Sequence, residues 1–226
     1  MKITWLGQAG LLFETCGKTV LIDPYLSDNV KNFEPKNYRR VPVDERFLNI
    51  KPDVIVITHY HLDHLDKETL KYYLTKEANC LVLAPNGSWQ ELRTFGGNSN
   101  YVLFNAGTEW SEGDIRFTAV VAEHSDPNAI GVILSAEWKD YYVTGDTLYS
   151  ERVFSSLPNR KTYAVFLPIN GVGNNMNVRD AERFAARVGA KHVVPIHFGM
   201  FDEMSAECFN APNKIVPTVY REISLL

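Results

Sequence analysis

Apolar residues in this chain come mostly in short runs set off by turn formers, the signature of strands rather than long helices. Residues 2–6 and 11–14 have strand composition on either side of Gly7-Gln8-Ala9-Gly10, and Thr19-Val20-Leu21-Ile22 ends at Asp23-Pro24. Together these predict an antiparallel meander. Val54-Ile55-Val56-Ile57 is a continuous apolar run, the pattern of a buried strand. Asp66 is placed to N-cap a helix over 67–76, with Leu70, Tyr73 and Leu74 facing inward. Cys80-Leu81-Val82-Leu83-Ala84 predicts another buried strand, stopped by Pro85-Asn86-Gly87 and followed by a short helix over 88–95 ending at Gly96-Gly97.

The second half repeats this order. Strands are expected at 101–104 and 115–121, with a turn at Glu112-Gly113-Asp114, then a hairpin-like pair at 130–134 and 138–143. A strand over 163–167 runs into Pro168-Ile169-Asn170-Gly171. Ala181, Phe184, Ala185 and Val188 give residues 178–188 one apolar face, and Gly189 closes that helix. The last clear strand is 191–196. Residues 27–49 carry no convincing period. There Lys31, Lys36, Arg39 and Arg40 interleave with Phe33 and Tyr38, which reads either as a solvated connection or as a basic flap meeting an anionic substrate.

The chemistry collects where the apolar runs stop. His59, His124, Asp146 and His197 each follow a strand by one to three residues, and strand ends on one edge of a sheet converge. The densest stretch is Thr58-His59-Tyr60-His61-Leu62-Asp63-His64. In an extended segment His59 and His61 point to one side and can chelate one ion. Asp63 and His64 come after the chain turns and can face a second ion about 3.5–4 Å away, the spacing of two-metal hydrolytic sites. Donors drawn from nitrogen and oxygen, without cysteine, suit Zn²⁺, Mn²⁺ or Fe²⁺. The sixth histidine, His192, starts a strand and reads as an ordinary surface or half-buried imidazole.

Bulk composition adds limits. With 226 residues, 45% of them hydrophobic, the chain can bury a real core. A net charge of -4 gives no reason to expect nucleic acid or an anionic membrane as partner. No run approaches the ~18 apolar residues of a spanning helix, and Met1-Lys2-Ile3-Thr4-Trp5 enters a strand without a signal-peptide pattern, so a cytoplasmic location is expected. Cys16, Cys80 and Cys208 are odd in number and far apart, which argues against a disulfide framework and reads as three structural thiols.

His59-x-His61-x-Asp63-His64, followed by His124, Asp146 and His197, resembles the metallo-β-lactamase superfamily of metal-dependent hydrolases. Trp5-Leu6-Gly7-Gln8-Ala9-Gly10 and Leu21-Ile22-Asp23-Pro24 look like its opening strands, and Gly145-Asp146-Thr147 resembles its bridging-aspartate motif. Gln8 stands near the point where relatives frequently have a Gly-His pair. The resemblance implies one domain over 1–226 with an α/β, four-layer αβ/βα sandwich. It implies two divalent cations, zinc first, with manganese or iron as alternatives. His59, His61 and His124 would hold one ion, and Asp63, His64 and His197 the other. Asp146 would bridge them, and Asp23 would hydrogen-bond a ligand imidazole or water. Asp63 would also be catalytic, orienting the attacking hydroxide and carrying its proton to the leaving group.

Within the superfamily, Pro195-Ile196-His197-Phe198-Gly199-Met200-Phe201 is similar to the L-ascorbate-6-phosphate lactonase branch. The expected reaction is hydrolysis of a small ester, lactone or phosphorylated molecule. Arg39, Arg40, Asn170 and Asn177 are candidates to bind that substrate, expected to be small and compatible with a negative charge. A phosphodiesterase or nuclease is the alternative enzyme, and a non-catalytic metal-binding sensor or scaffold the alternative of another class. Both a monomer and a homo-oligomer stay open.

Overall fold

A computed structural model describes residues 1–225. Twelve strands form two six-stranded sheets, each made from consecutive chain. The first contains β1 (Lys2–Gly7), β2 (Gly10–Thr15), β3 (Lys18–Ile22), β4 (Val54–Val56), β5 (Leu81–Ala84) and β6 (Asn100–Leu103), in that spatial order. The second contains β7 (Glu109–Glu112), β8 (Ile115–Val121), β9 (Ile130–Ala136), β10 (Lys139–Val143), β11 (Ala164–Pro168) and β12 (His192–Ile196). In both, the early strands pair antiparallel and the later ones parallel. That is the echo between halves visible in the sequence.

Burial on both faces explains the unbroken apolar runs. Val54 and Val56 belong to the core between the sheets, while Ile55 and Ile57 belong to a cluster with Leu70, Tyr73 and Leu92 of the flanking helices α1 (Lys67–Tyr73) and α2 (Asn86–Leu92). On the other sheet, Tyr142 lies 6.3 Å from Phe184 of α4 (Val178–Val188), whereas its neighbour Tyr141 lies 6.3 Å from Phe13 of β2. Helix, sheet, sheet and helix therefore stack as the expected sandwich. No helix among the described residues is long and apolar enough to cross a membrane.

Local signals hold where they had a mechanism. The Asp66 side chain accepts from the Glu68 amide and Asn177 from the Asp180 amide, each cap contributing about 1 kcal/mol. Gly189 closes α4 in the left-handed region. Some boundaries move. α1 stops at Tyr73, and α2 starts at Asn86, inside the stretch expected to break the strand, because Pro85 serves as its N-cap. Two elements carry too little pattern to be expected: the polar edge strand β7, and α3 (Glu151–Ser156), of which only Val153 is buried. Among the thiols, Cys80 is buried while Cys16 and Cys208 are exposed, so only Cys80 fits the structural reading. His192 is buried, with its ring 4.9 Å from Tyr163.

The chain after β12 closes the fold. Val193 and Asn213 pair beside β12, and Tyr220 and Ile223 donate to the carbonyls of Trp5 and Ile3 on β1. This tail thus lies along the open edge of each sheet.

Candidate metal centre

The loop after β4, the segments after β8 and β10, and the residue after β12 bring seven side chains to one edge of the sandwich. Gly145 makes the β10 exit passable. Its φ is +61°, and a Cβ there would meet the Ile130 carbonyl at 2.6 Å. The following residue, Asp146, is thereby set at the sheet edge, 5% exposed.

The donors sort into overlapping groups. His59, His61 and His124 form one, with His124 Nε2 3.1 Å from His61 Nδ1. Asp63, His64 and His197 form another. His197 Nε2 lies 3.2 Å from Asp63 Oδ2 and 3.4 Å from His64 Nε2. Asp146 Oδ1 lies 3.3 Å from both imidazoles. Four donors at the corners of a tetrahedron with bonds of about 2.1 Å would be about 3.4 Å apart, so this spacing fits one small cation. A third group, His59, His64 and Asp146, overlaps the other two and places Asp146 between them.

The tautomers also fit a cation. Asp23 Oδ2 accepts from Thr58 Oγ1 at 2.5 Å and from His64 Nδ1 at 2.7 Å. With its own proton given to Asp23, Thr58 Oγ1 accepts from His59 Nδ1 at 3.1 Å. Both imidazoles then present Nε2 to the centre. His59 Nε2 is buried and has no hydrogen-bond partner, an arrangement that is costly unless a ligand takes the lone pair. Asp23 is itself fully buried and holds φ at +45°. Gln8 and His197 also sit at positive φ, 48° and 59°. Three non-glycine residues in the left-handed region thus adjoin this cluster.

Electrostatics separates the groups. Burial alone would lower the pKa of His64, but Asp146, Asp63 and Asp23 overcome it and raise it well above the usual imidazole value. Burial likewise opposes His197, whose pKa Asp146 and Asp63 nevertheless push up to about 10. Burial would raise Asp63 and Asp146, yet the imidazoles of His64 and His197 bring both below the ordinary carboxylate range. In the histidine trio the balance reverses. Burial, then the charge of His64, brings His59 well below the usual value, and burial lowers His124.

A family model described as a β-lactamase superfamily domain matches residues 18–198. The chain belongs to the metal-dependent hydrolases of the β-lactamase superfamily. A UPF0173 metal-dependent hydrolase of Geobacillus thermodenitrificans is 33% identical over 242 aligned residues, covering 99% of this chain and 96% of that one. Among solved structures, the isothiocyanate hydrolase from Delia radicum gut bacteria superposes with a TM-score of 0.76 at 19% identity, over 99% of each chain. Igni18, a metallo hydrolase from Ignicoccus hospitalis, gives 0.74 at 18% identity, over 98% of this chain and 97% of its own. At those identities the structures speak for the fold alone.

Around the donors of this hydrolase, two amides act that the motif search did not single out as site residues. Gln8 Nε2 donates to Asp63 Oδ2 at 2.8 Å and lies 3.1 Å from His197 Nε2, while its carbonyl accepts from the His197 amide. It had been absorbed into the turn between β1 and β2. Asn175 Nδ2 donates to Asp146 Oδ2 at 2.7 Å, and its Oδ1 accepts from the Thr147 amide.

The four expected substrate residues divide. Asn170 lines the cleft in front of the donors and leaves its buried Oδ1 unpartnered. Asn177 is spent on capping α4 and does not line the cleft. The Arg39 guanidinium donates to the carbonyls of Val41 and Tyr25 and to the Tyr220 hydroxyl. Arg40 donates to the Phe201 carbonyl and stacks on Tyr38. Neither arginine lines the cleft, and both instead fasten their loop to neighbouring chain. The loop does form a cleft wall, but through Asn29, Val30, Phe33, Glu34 and Asn37 rather than its basic residues.

Proposed function

We propose that this chain hydrolyses a small ester or lactone at a two-metal centre, with His59, His61 and His124 holding one cation, Asp63, His64 and His197 the other, and Asp146 shared. The observation that carries this reading is a pair of donor groups joined by a third that contains His59, His64 and Asp146, with the Nε2 of His59 buried and without a partner. Divalent cations bound there supply Lewis-acid polarisation of the scissile carbonyl and a water made nucleophilic at neutral pH. The all-nitrogen-and-oxygen donor set supports zinc first, with manganese or iron also compatible.

The protein's own residues supply the rest. Asp63 lines the cleft with its Oδ2 fixed by the Gln8 amide. From there it can accept a proton from the attacking water and return it to the leaving group. Asp23, through Thr58 and His64, fixes two imidazoles in the orientation that leaves Nε2 free. Asn175 holds Asp146 by one oxygen so that the other faces the donors. Asn170 lines the cleft where substrate would sit. The likeness of residues 195–201 to the lactonase branch supports an ester-like bond as the target.

Metal analysis of the dialysed protein is expected to give two equivalents per chain, with lactone or ester hydrolysis that a chelator abolishes and added metal restores. Asp63→Asn is expected to remain folded, bind the second cation more weakly and lose about 10²-fold or more in kcat/KM even with metal in excess. A chain that binds no metal, or an Asp63→Asn variant with full turnover, would overturn the assignment.

A further inference from the structure

The cleft of about 840 Å³ that opens from the donors carries information about the part of the substrate remote from the reacting bond. Its inner end is formed by Gln8, Asp63, Asp146 and His197. Farther out the wall becomes apolar. Phe33, Tyr60 and Val172, from three different loops, line it while remaining 68%, 45% and 67% exposed. Phe201 joins them. Large apolar groups left in water around one concave opening mark a binding surface more readily than chance exposure does.

Four carboxylates and one ammonium stand on that wall. Glu34, Glu68, Glu91 and Asp202 line it. Among the described residues, the only lysine or arginine lining it is Lys67, whose ammonium lies 2.8 Å from Glu91. Glu68 is ion-paired with Lys71, whereas Glu34 accepts from the Asn37 side-chain amide and Asp202 from the backbone amides of Gly199 and Met204, so these two carboxylates meet only neutral donors. The arginines that could have countered them are spent elsewhere. A phosphate or carboxylate on the outer part of a substrate would meet carboxylates and no free cation, which costs affinity and slows approach.

We infer that the substrate's outer portion, beyond the bond hydrolysed, is apolar and uncharged. This rests on the hydrolase reading above and narrows it. It assigns specificity to Phe33, Tyr60 and Val172, with Glu34 and Asp202 excluding anionic tails.

The test separates the tail from the chemistry. Three hydroxamates share one metal-chelating head and differ in tail: hexanoyl, a chain of similar length ending in carboxylate, and one ending in trimethylammonium. Their affinities for the metal-loaded protein are measured by calorimetry at low and high salt. The hexanoyl compound is expected to bind at least about tenfold more tightly than the carboxylate, with the gap narrowing in high salt. Glu34→Lys is expected to narrow that gap at least about threefold, and Phe33→Ala with Val172→Ser to weaken the hexanoyl compound alone. A carboxylate tail bound as well as the hexanoyl tail, or a trimethylammonium tail bound tenfold better, would overturn the inference while leaving the hydrolase reading intact. Failure of all three to bind protein that retains its metal would overturn the active-site reading, and the inference with it.

Discussion

The two donor groups share one carboxylate and differ in almost everything else. The histidine trio carries no charge of its own apart from Asp146, and two of its members, His61 and His124, are partly exposed. The other group holds Asp63 and Asp146, with His64 and His197 buried. The carboxylates of the buried group attract a cation strongly, but protons already compete for that charge on His64 and His197. The trio attracts less, but its buried His59 and half-buried His124 are held below the usual imidazole value, so neither has a proton to displace at neutral pH. If each group holds an ion as proposed, one position would be controlled by proton competition and the other by access.

The largest effect expected is from removing what the groups share. Asp146→Ala should lower metal content at both positions and reduce kcat/KM by about 10³-fold or more. Retention of one full equivalent, measured by elemental analysis, would show that one group stands without it. Next is the connection behind both. Asp23 reaches His64 directly and His59 through Thr58, so Asp23→Asn should weaken both ions by about 10–100-fold. Titration with a competing chelator checks this, and loss at one position only would break the link through Thr58.

The effect that is smallest per step, and the most diagnostic, is that of a single pH unit. His197 in the metal-free protein keeps its proton up to about 10, and a ligand imidazole must be neutral. Affinity at the buried group should therefore rise as pH increases from about 7 toward about 10, by up to about tenfold per unit for each proton displaced. At the trio it should be nearly flat over the same range. Calorimetry in buffers of different ionisation enthalpy reads the released protons directly. Equal pH dependence at both positions would erase the distinction.

Much of this was legible in the sequence because periodicity and strand ends are local. Val54 to Ile57 announces its strand, and the ligands follow where the apolar run stops. Direction is not local. Arg39 and Arg40 looked like a substrate flap because a sequence shows that a loop is charged but not which way it faces. The acceptors that hold them, the carbonyls of Tyr25 and Phe201 and the Tyr220 hydroxyl, include groups more than a hundred residues away. Gln8 was hidden for the opposite reason, since a turn explained it well enough to end the search. β7 and α3 lacked any apolar stripe because each presents only one or two side chains to the core.

The tail along β12 and β1 has a consequence for handling and solubility. An uncovered strand edge is a template for pairing with another chain. Here one segment, between Asn213 and Ile223, occupies both edges at once. A truncation that spared every metal donor but removed this segment would leave two adhesive margins on each molecule. Two such margins allow growth in more than one direction, so the expected product is an open-ended aggregate rather than a dimer.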